Sequence, residues 1–311
     1  MADSSDSPFR RYAPWLRARY GGKTYRVSVD AGFSCPGREI GLPCSYCDAA
    51  GSRAPYLGDR GAITEQIDHG IEFLASRYRA ERFLLYFQAF SNTYAPLEEL
   101  RAIYDHALSR APFVGLIVGT RPDCVDEDRA ALLAEYRERG LDVWVELGLQ
   151  SANDRTLERV RRGHTVAQFD EAVQTLHARG IHVAAHLILG LPGEGSEAAA
   201  ESARHLSALP VAGVKFHNLV VLDGTELYRE YRERGLAPPG AGEYEELLVA
   251  ALEYLREDIV VMRFTCDPPR GRLHLPADLP DKTSVYNRIE TRFSERGTRQ
   301  GIYWRDHANE G

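Results

Sequence analysis

The 311-residue chain lacks both a long polar tract and a long apolar run. Hydrophobic residues make up 44% of it and charged residues 27%, which is typical of folded globular proteins and excludes a mainly disordered chain. Its longest apolar stretches, such as VGLIVG, are too short to cross a bilayer, and the start, MADSSDSPFRRY, has no apolar segment of a secretory signal. We therefore expect a folded cytoplasmic protein with no membrane partner.

Cysteine is scarce, and the cysteines that are present cluster. An odd number of five, in a reducing compartment, predicts thiols or metal ligands rather than a disulfide framework. Cys35, Cys44 and Cys47 share the segment CPGREIGLPCSYC with the spacing C-x8-C-x2-C. Three thiolates at this spacing suit an iron–sulfur cluster, or a zinc ion if Cys124 or Cys266 supplies a fourth ligand.

Acidic residues are absent from residues 8–29, although the whole chain has a net charge of −7. The total gives no sign of a nucleic-acid-binding domain. The stretch, however, interleaves Tyr12, Trp15, Tyr20 and Tyr25 with six basic residues, which are Arg10, Arg11, Arg17, Arg19, Lys23 and Arg26. Two interpretations stay open: an arm that packs its aromatic rings on the body, and a contact with a phosphate backbone.

Apolar, β-rich runs alternate with helical patterns along the chain. The runs cover residues 24–30, 82–90, 112–120, 141–150, 181–190 and 212–222. Between them, Asp126 and Thr165 are placed to cap two amphipathic helices, and Thr165 forms a capping box with Gln168. Strand and helix in regular alternation predict six βα units and a parallel sheet.

The strands alternate between an apolar side and a polar side, which favours a barrel over an open sheet between two helix layers. In VWVELGLQ the polar side carries Glu146 and Gln150, and two other strands place His186 and Lys215 in the same way. These polar sides predict an interior that is a binding cavity rather than a packed core. We expect an α/β protein with an arm (1–23), a partial (β/α)6 TIM-type barrel (24–225) and a C-terminal α/β extension (226–311) that covers the side of the barrel.

The cysteine loop follows the first strand, at the rim where barrel enzymes hold their chemistry. This loop, with Tyr46 before its last cysteine, resembles the cluster loop of radical S-adenosylmethionine (SAM) enzymes. Five further segments extend the resemblance over roughly residues 18–300: YFQAFSNTYAPLEEL, GLIVGTRPDCV, VWVELGLQSANDRTLERVRRGH, HLILGLPGE and VKFHNLVVLDGT. They resemble the YhcC-like branch, which is similar to the elongator-type tRNA-modifying enzymes and the oxygen-independent coproporphyrinogen oxidases.

The resemblance implies two cofactors, a [4Fe-4S] cluster and SAM. Cys35, Cys44 and Cys47 would ligate three irons and leave the fourth to chelate SAM, whose reductive cleavage gives a 5′-deoxyadenosyl radical. A reductase, or a flavodoxin or ferredoxin, would donate the electron. Such cofactor chemistry leaves the protein to position and shield the reactants.

The resemblance also implies SAM contacts, with one departure from the family pattern. Many relatives have Gly-Gly-Glu after the second strand, where this chain has Gln88-Ala89-Phe90, so backbone carbonyls and the Gln88 amide would hold the SAM amino group. The other implied cofactor-binding residues are Tyr46, Thr120, Arg121, Glu146 and Gln150. A structural ion pair of Glu146 with Lys215 or Arg121 is the alternative.

Three residues are candidates for catalysis: His186, His217 and Cys266. Hydrogen-bonded core histidines and a buried, inert cysteine are the alternatives. The preferred substrate is an anticodon-loop uridine of tRNA, supported by the basic aromatic stretch and by Arg270 and Arg272. A small metabolite such as a porphyrin precursor, or a non-catalytic zinc-binding protein, would be the alternative function.

Overall fold

A computed structural model describes residues 7–48, 54–58, 61–268, 271–278 and 281–305. Its strands are β1 (Thr24–Val29), β2 (Arg82–Phe87), β3 (Gly115–Thr120), β4 (Asp142–Gln150), β5 (His182–Leu189), β6 (Gly213–Asn218), β7 (Val221–Leu222), β8 (Val260–Arg263) and β9 (His274–Leu275). Seven of them form one curled parallel sheet in the order β1-β2-β3-β4-β5-β6-β8, and β7 pairs with β9 antiparallel. This half-barrel confirms the predicted α/β partial barrel.

Helices connect the strands, as the alternating pattern predicts. They are α1 (Tyr12–Tyr20), α2 (Pro36–Glu39), α3 (Ile63–Tyr78), α4 (Leu97–Leu108), α5 (Glu127–Glu138), α6 (Asp154–Arg159), α7 (Val166–Ala178), α8 (Ser196–Ser207), α9 (Glu226–Arg234), α10 (Ala241–Tyr254) and α11 (Lys282–Arg296). Asp126 caps α5 by accepting the Arg129 N–H at 2.8 Å, and Thr165 with Gln168 forms the capping box of α7. Both predicted caps are confirmed.

The outer face of the sheet packs against these helices. Along β4, the four alternate apolar residues from Val143 to Leu149 are at most 1% exposed and belong to the main hydrophobic core. Phe169 of α7 and Leu133 of α5 are members of the same core. The apolar side of each strand therefore faces the helix layer, and the other side faces the interior of the half-barrel.

The lower interior is filled, which corrects the expectation that the whole interior is a cavity. A second apolar cluster joins Leu84, Ile117 and Trp144 of the sheet to Leu16 of α1. Trp15 of the same helix meets Trp144 edge to face, with ring centroids 5.4 Å apart. Helix α1 thus closes the mouth at the N-terminal ends of the strands and leaves the C-terminal end for chemistry.

The basic N-terminal stretch packs on the body, so the first of its two interpretations is confirmed. Arg19 binds the Asp142 carboxylate with contacts of 2.6 and 2.8 Å, and Arg26 Nη1 lies 2.9 Å from Glu146 Oε1. These guanidinium groups already have protein counterions. They therefore give little support to a phosphate-binding arm. Arg270, which the sequence analysis named with Arg272 as support for tRNA binding, lies outside the described residues.

Strand β8, expected in the extension at the side of the barrel, is instead the seventh strand of the sheet. Val214 of β6 pairs with Val261, and the next residue, Lys215, pairs with Arg263, so Met262 is an extra residue in a bulge. A strand from beyond residue 225 thus completes this sheet. The predicted domain boundaries at residues 23 and 225 remain predictions. Among the described helices, none has the length and hydropathy to cross a membrane.

Candidate active site

The three clustered cysteines lie on one loop after the C-terminal end of β1. Cys35 precedes α2, and the Cys47 N–H donates to the Cys44 carbonyl oxygen at 2.9 Å. Gly37 lets the loop close, because a Cβ there would lie only 2.9 Å from the Leu42 carbonyl oxygen. The Leu42 N–H donates back to the Gly37 carbonyl oxygen at 2.7 Å. The loop is therefore a compact, hydrogen-bonded turn that brings its thiols to the barrel rim.

Neighbouring elements hold this loop in place. The Ser45 N–H donates to the Val160 carbonyl oxygen at 3.0 Å, and the Leu227 N–H donates to the Ser45 carbonyl oxygen at 2.9 Å. Tyr46 packs in an apolar cluster that includes Val160 and Leu227, and burial, with the charge of Cys44, raises the pKa of Tyr46 well above its ordinary value. The Tyr46 side chain thus anchors the loop, while the predicted role of its backbone near adenine stays a prediction.

Three guanidinium groups approach the thiols. Arg38 Nη2 lies 3.3 Å from Cys47 Sγ, and Arg162 Nη1 and Arg121 Nη1 lie 3.8 and 4.0 Å from Cys44 Sγ. Burial acts to raise the pKa of Cys44, but the charges of Arg162 and Arg121 outweigh it and lower that pKa. Since the thiolate is the form that binds metals, these arginines favour the ligating form of Cys44.

The donor set fits an iron–sulfur cluster. All three thiols are free and partly exposed, and soft thiolates are the ligands that such clusters take. Burial raises the pKa of Cys47, and negative charge on Cys44 and Cys35 adds to this effect. In the part of the chain that the structure describes, no three His, Cys, Asp or Glu side chains are spaced to hold a single metal ion.

Arg162 reaches Cys44 across a position that has no side chain. Its Nη2 donates to the Gly148 carbonyl oxygen at 3.0 Å, and a Cβ on Gly148 would lie 2.6 Å from that nitrogen and 2.4 Å from Gln150 Nε2. Gly148 therefore leaves the space that both polar groups occupy. The predicted SAM contact of Gln150 is untested, but its amide does lie beside the arginine that approaches the cluster loop.

Arg121 is buried and already bound to a carboxylate. Its Nε and Nη2 lie 2.8 and 2.9 Å from the two carboxylate oxygens of Asp123, in a bidentate pair. The third nitrogen, Nη1, faces Cys44. Nη1 is therefore the one guanidinium nitrogen of Arg121 that the Asp123 pair leaves for the SAM carboxylate. That contact with SAM stays a prediction.

Residues after β2 form a tight turn at the same rim. Asn92 Nδ2 donates to the Ala89 carbonyl oxygen at 2.8 Å, and the hydroxyls of Thr93 and Thr120 share a hydrogen bond of 2.6 Å. Gln88, the predicted partner of the SAM amino group, is half-buried at the start of this turn. Ala89 and Thr120 thus lie at this rim with one hydrogen bond each used inside the protein, and their SAM contacts stay predictions.

A buried ion-pair network crosses the interior above the apolar floor. The Glu146 carboxylate accepts hydrogen bonds from Tyr86 Oη at 2.6 Å, from His186 Nε2 at 3.0 Å and from Lys215 Nζ. Arg26 makes an ion-pair contact with the other carboxylate oxygen at 2.9 Å, without hydrogen-bond alignment. The geometry is that of the structural alternative for Glu146, with Lys215 as its partner and no contact to Arg121.

The titration of this network follows from its charges. Burial acts to raise the pKa of Glu146, but Lys215 and Arg26 hold it well below the ordinary value. Burial, with the charge of Arg26, lowers the pKa of Lys215, and burial with Lys215 lowers the pKa of His186 to about 4. At neutral pH Glu146 is therefore an anion and His186 a neutral hydrogen-bond donor.

The other two catalytic candidates lie near the ends of β6 and β8. The His217 ring centroid is 5.1 Å from that of His186, and His217 Nε2 is buried without a hydrogen-bond partner among the described residues. Cys266 Sγ lies 3.5 Å from Asn218 Oδ1, and burial raises the pKa of Cys266 to about 11. Cys266 is therefore a protonated thiol that donates to Asn218, and the catalytic roles of all three candidates stay predictions.

Sequence reasoning missed four arginines that shape the site. Arg38 and Arg162 approach the thiols, while Arg26 and Arg263 lie on strands of the half-barrel. Arg26 could have been found, because it alternates with the buried Val27 on β1 and so belongs to the interior face. Arg162 has no such local signal, since only the folded chain brings it to Cys44.

Comparisons with known proteins match most of this chain. Residues 32–206 match the family described as Radical SAM superfamily, and residues 211–295 match the Radical_SAM C-terminal domain. Protein YhcC of Escherichia coli K12 is 35% identical over 288 residues, which cover 91% of each chain. A tRNA uridine(34) acetyltransferase of Methanocaldococcus jannaschii is 30% identical over 56% of this chain and 31% of its own. The structure of the archaeal Methanocaldococcus infernus Elp3 superposes with a TM-score of 0.70 at 20% identity, over 90% of this chain and 64% of that one.

Proposed function

Because the chain belongs to the radical SAM superfamily, we propose that its cysteine loop carries the cluster and that its substrate is a tRNA uridine. The protein is an enzyme whose cofactors are a [4Fe-4S] cluster and SAM. Cys35, Cys44 and Cys47 are the proposed ligands. When bound, the cluster would supply the electron for the reductive cleavage of SAM, and the three thiolates would hold it at the rim.

The observation that carries the ligand assignment is the pairing of thiols with guanidinium groups at the barrel rim. Arg162 and Arg121 lower the pKa of Cys44 against the effect of its burial, and Arg38 contacts Cys47. Arg38 also lies over the ring of Phe90, at 4.4 Å from its centroid. The chain's own arginines thus favour the thiolate form of Cys44, and Arg38 joins the cysteine loop to the turn after β2.

SAM contacts are proposed for the residues that surround this loop at the rim. Gln88 and the Ala89 backbone would take the amino group, in place of the Gly-Gly-Glu of relatives. Tyr46, Thr120, Arg121 and Gln150 would contact the rest of SAM. Glu146 is fully paired inside the barrel, which favours a positioning role for its carboxylate beneath this site.

The tRNA assignment is supported by similarity to a tRNA uridine(34) acetyltransferase. The chain spans only about a third of that enzyme, so its substrate is a proposal for this protein. A base in a folded RNA has to leave its stack to reach a barrel interior, and we propose that it enters at the C-terminal end of the half-barrel, which α1 does not close. The paired N-terminal arginines add no support.

The test compares modified nucleosides in tRNA by mass spectrometry. Cells that lack the gene are complemented with the wild type, with Cys44→Ala or with Cys124→Ala. We expect one uridine-derived nucleoside to change in the deletion strain and to be restored by the wild type and by Cys124→Ala, but not by Cys44→Ala. Cys124 is the matched control, because it is 6% exposed and lies outside the cysteine loop.

A nucleoside profile that is the same in all four strains would refute the tRNA assignment. The enzyme would then act on a small metabolite. The cluster assignment would be tested separately, by measuring the iron content of the purified protein. A profile that Cys44→Ala restores would refute the role of this thiol.

A further inference from the structure

The charges that line the upper interior of the half-barrel do not balance. Arg26, Lys215 and Arg263 lie on β1, β6 and β8, and each acts electrostatically within the network around Glu146. Glu146 is the carboxylate that faces them among the described residues. Even if Lys215 were neutral, one guanidinium charge would remain uncompensated. Unbalanced charge at a partly buried site is costly, and a bound counterion removes that cost.

The register of the sheet directs Arg263 into this interior. Arg263 pairs with Lys215, and Lys215 pairs with His186 on the next strand. Paired residues of neighbouring strands point to the same face of a sheet. Lys215 and His186 both reach the Glu146 carboxylate, so that face is the interior one. The bulge at Met262 is what re-aims Arg263 to it.

Arg263 has no counterion or hydrogen-bond acceptor of its own in the described part of the chain, although it is half-buried. It does act on the titration of its neighbours: with burial and His186, it lowers the pKa of His217. His217 Nε2 is likewise buried and without a hydrogen-bond partner among the described residues. A half-buried cation and an unused imidazole nitrogen thus lie together in an interior row.

This row lies at the depth where a substrate would sit. Lys215 precedes the last residue of β6, Asn218, by three positions, which is about 10 Å below the rim at the rise of a β-strand. The row lies above the apolar floor that α1 closes. The His186 side chain is 20% exposed, so solvent reaches this level.

We propose that Arg263, with His217 and Lys215 beside it, binds an oxyanion of the substrate, either a carboxylate or a phosphate. The assignment rests on the proposed function, because it names the chemistry of the substrate for the same barrel. A guanidinium group binds both oxyanions through two parallel hydrogen bonds, and the neutral His217 ring adds a donor. Arg263 is then a specificity-determining residue for the radical reaction.

The test titrates the anaerobically reconstituted protein with sodium phosphate and, separately, with sodium acetate, at constant ionic strength and with SAM either absent or saturating. Arg263→Gln removes the charge, Arg263→Lys keeps it, and Arg17→Gln is the matched control at an exposed arginine of α1. We expect Arg263→Gln to weaken anion binding about 10- to 100-fold, as loss of a charge-assisted hydrogen bond predicts. Arg263→Lys should retain part of the affinity, and Arg17→Gln all of it.

Thermal melts of the same samples separate a binding role from a structural one. Because Arg263 lacks a protein counterion, Arg263→Gln should not lower the Tm without anion, whereas loss of a structural ion pair would lower it. Anion should raise the Tm of the wild type more than that of Arg263→Gln. Preference for phosphate or for acetate identifies which oxyanion the substrate carries.

Three results would overturn the proposal. The wild type could fail to bind either anion, Arg263→Gln could bind both as well as the wild type does, or saturating SAM could abolish binding and so assign the site to the SAM carboxylate. Iron content and release of 5′-deoxyadenosine are measured on the same wild-type preparation. Normal values there with no anion binding would refute the oxyanion site and leave the proposed function intact.

Discussion

Replacing Glu146 with glutamine tests the claim that this carboxylate holds the barrel interior together. Glu146 is 1% exposed and bonds Tyr86, His186 and Lys215, and it forms an ion pair with Arg26. The substitution keeps the shape but leaves the buried Lys215 and the partly buried Arg26 without their carboxylate partner. Breaking a buried ion pair on one side costs about 3–5 kcal/mol. At roughly 2 °C per kcal/mol for a large domain, the Tm should fall by about 6–10 °C at pH 7.

The assay is a thermal melt at one scan rate, with two comparison variants. Glu135→Gln removes one partner of the exposed pair with Arg101 and should leave the Tm unchanged. Glu146→Gln combined with Lys215→Met removes the stranded ammonium and should recover a large part of the loss, because contacting residues do not contribute additively. An unchanged Tm in Glu146→Gln, or a double variant whose loss is the sum of the two single losses, would refute the reasoning.

Further predictions concern the histidine, the N-terminal helix and the glycine beneath the loop. The pKa of His186 is about 4 in the folded protein, below the ordinary value of 6.5. Between pH 4 and 6.5 the imidazole is therefore protonated in the unfolded chain but not in the folded one. The free energy of unfolding should fall as the pH drops from 6.5 to 4. His186→Asn should flatten that part of the Tm profile, and an equal slope in both proteins would contradict this. Trp15→Ala removes the edge-to-face contact with Trp144 and should lower the Tm by several degrees. An unchanged Tm would contradict the packing role of α1. Gly148→Ala should fold, because the new Cβ displaces only the side-chain ends of Gln150 and Arg162. It should slow SAM cleavage by moving Arg162 away from Cys44. An unchanged rate of cleavage would show that the contact between Arg162 and Cys44 is dispensable.

Local patterns predicted the repeating part of the fold. The alternation along β4 is visible in the sequence because each apolar residue from Val143 to Leu149 is buried for the same reason, contact with the helix layer. The caps at Asp126 and Thr165 are equally local, since each involves residues three positions apart. Periodicity and capping thus carry the strand and helix order.

Features that depend on distant parts of the chain could not be predicted. The four-residue strand β8 follows two helices of the extension, and no local signal places it beside β6 with a bulge at Met262. The arginines of α1 could as well have faced a nucleic acid, because composition does not reveal Asp142 as the counterion of Arg19. Arg162 reaches Cys44 only because Gly148, on another element, has no side chain.

The iron content of single-cysteine variants tests the central claim most directly. Anaerobically reconstituted wild type, Cys44→Ala and Cys124→Ala are assayed for iron, sulfide and 5′-deoxyadenosine released from SAM with a strong reductant. We predict about four iron and four sulfide ions per chain in the wild type and in Cys124→Ala, with product release in both, and loss of cluster and product in Cys44→Ala. A full, active cluster in Cys44→Ala, or a wild type that binds no iron, would contradict the account.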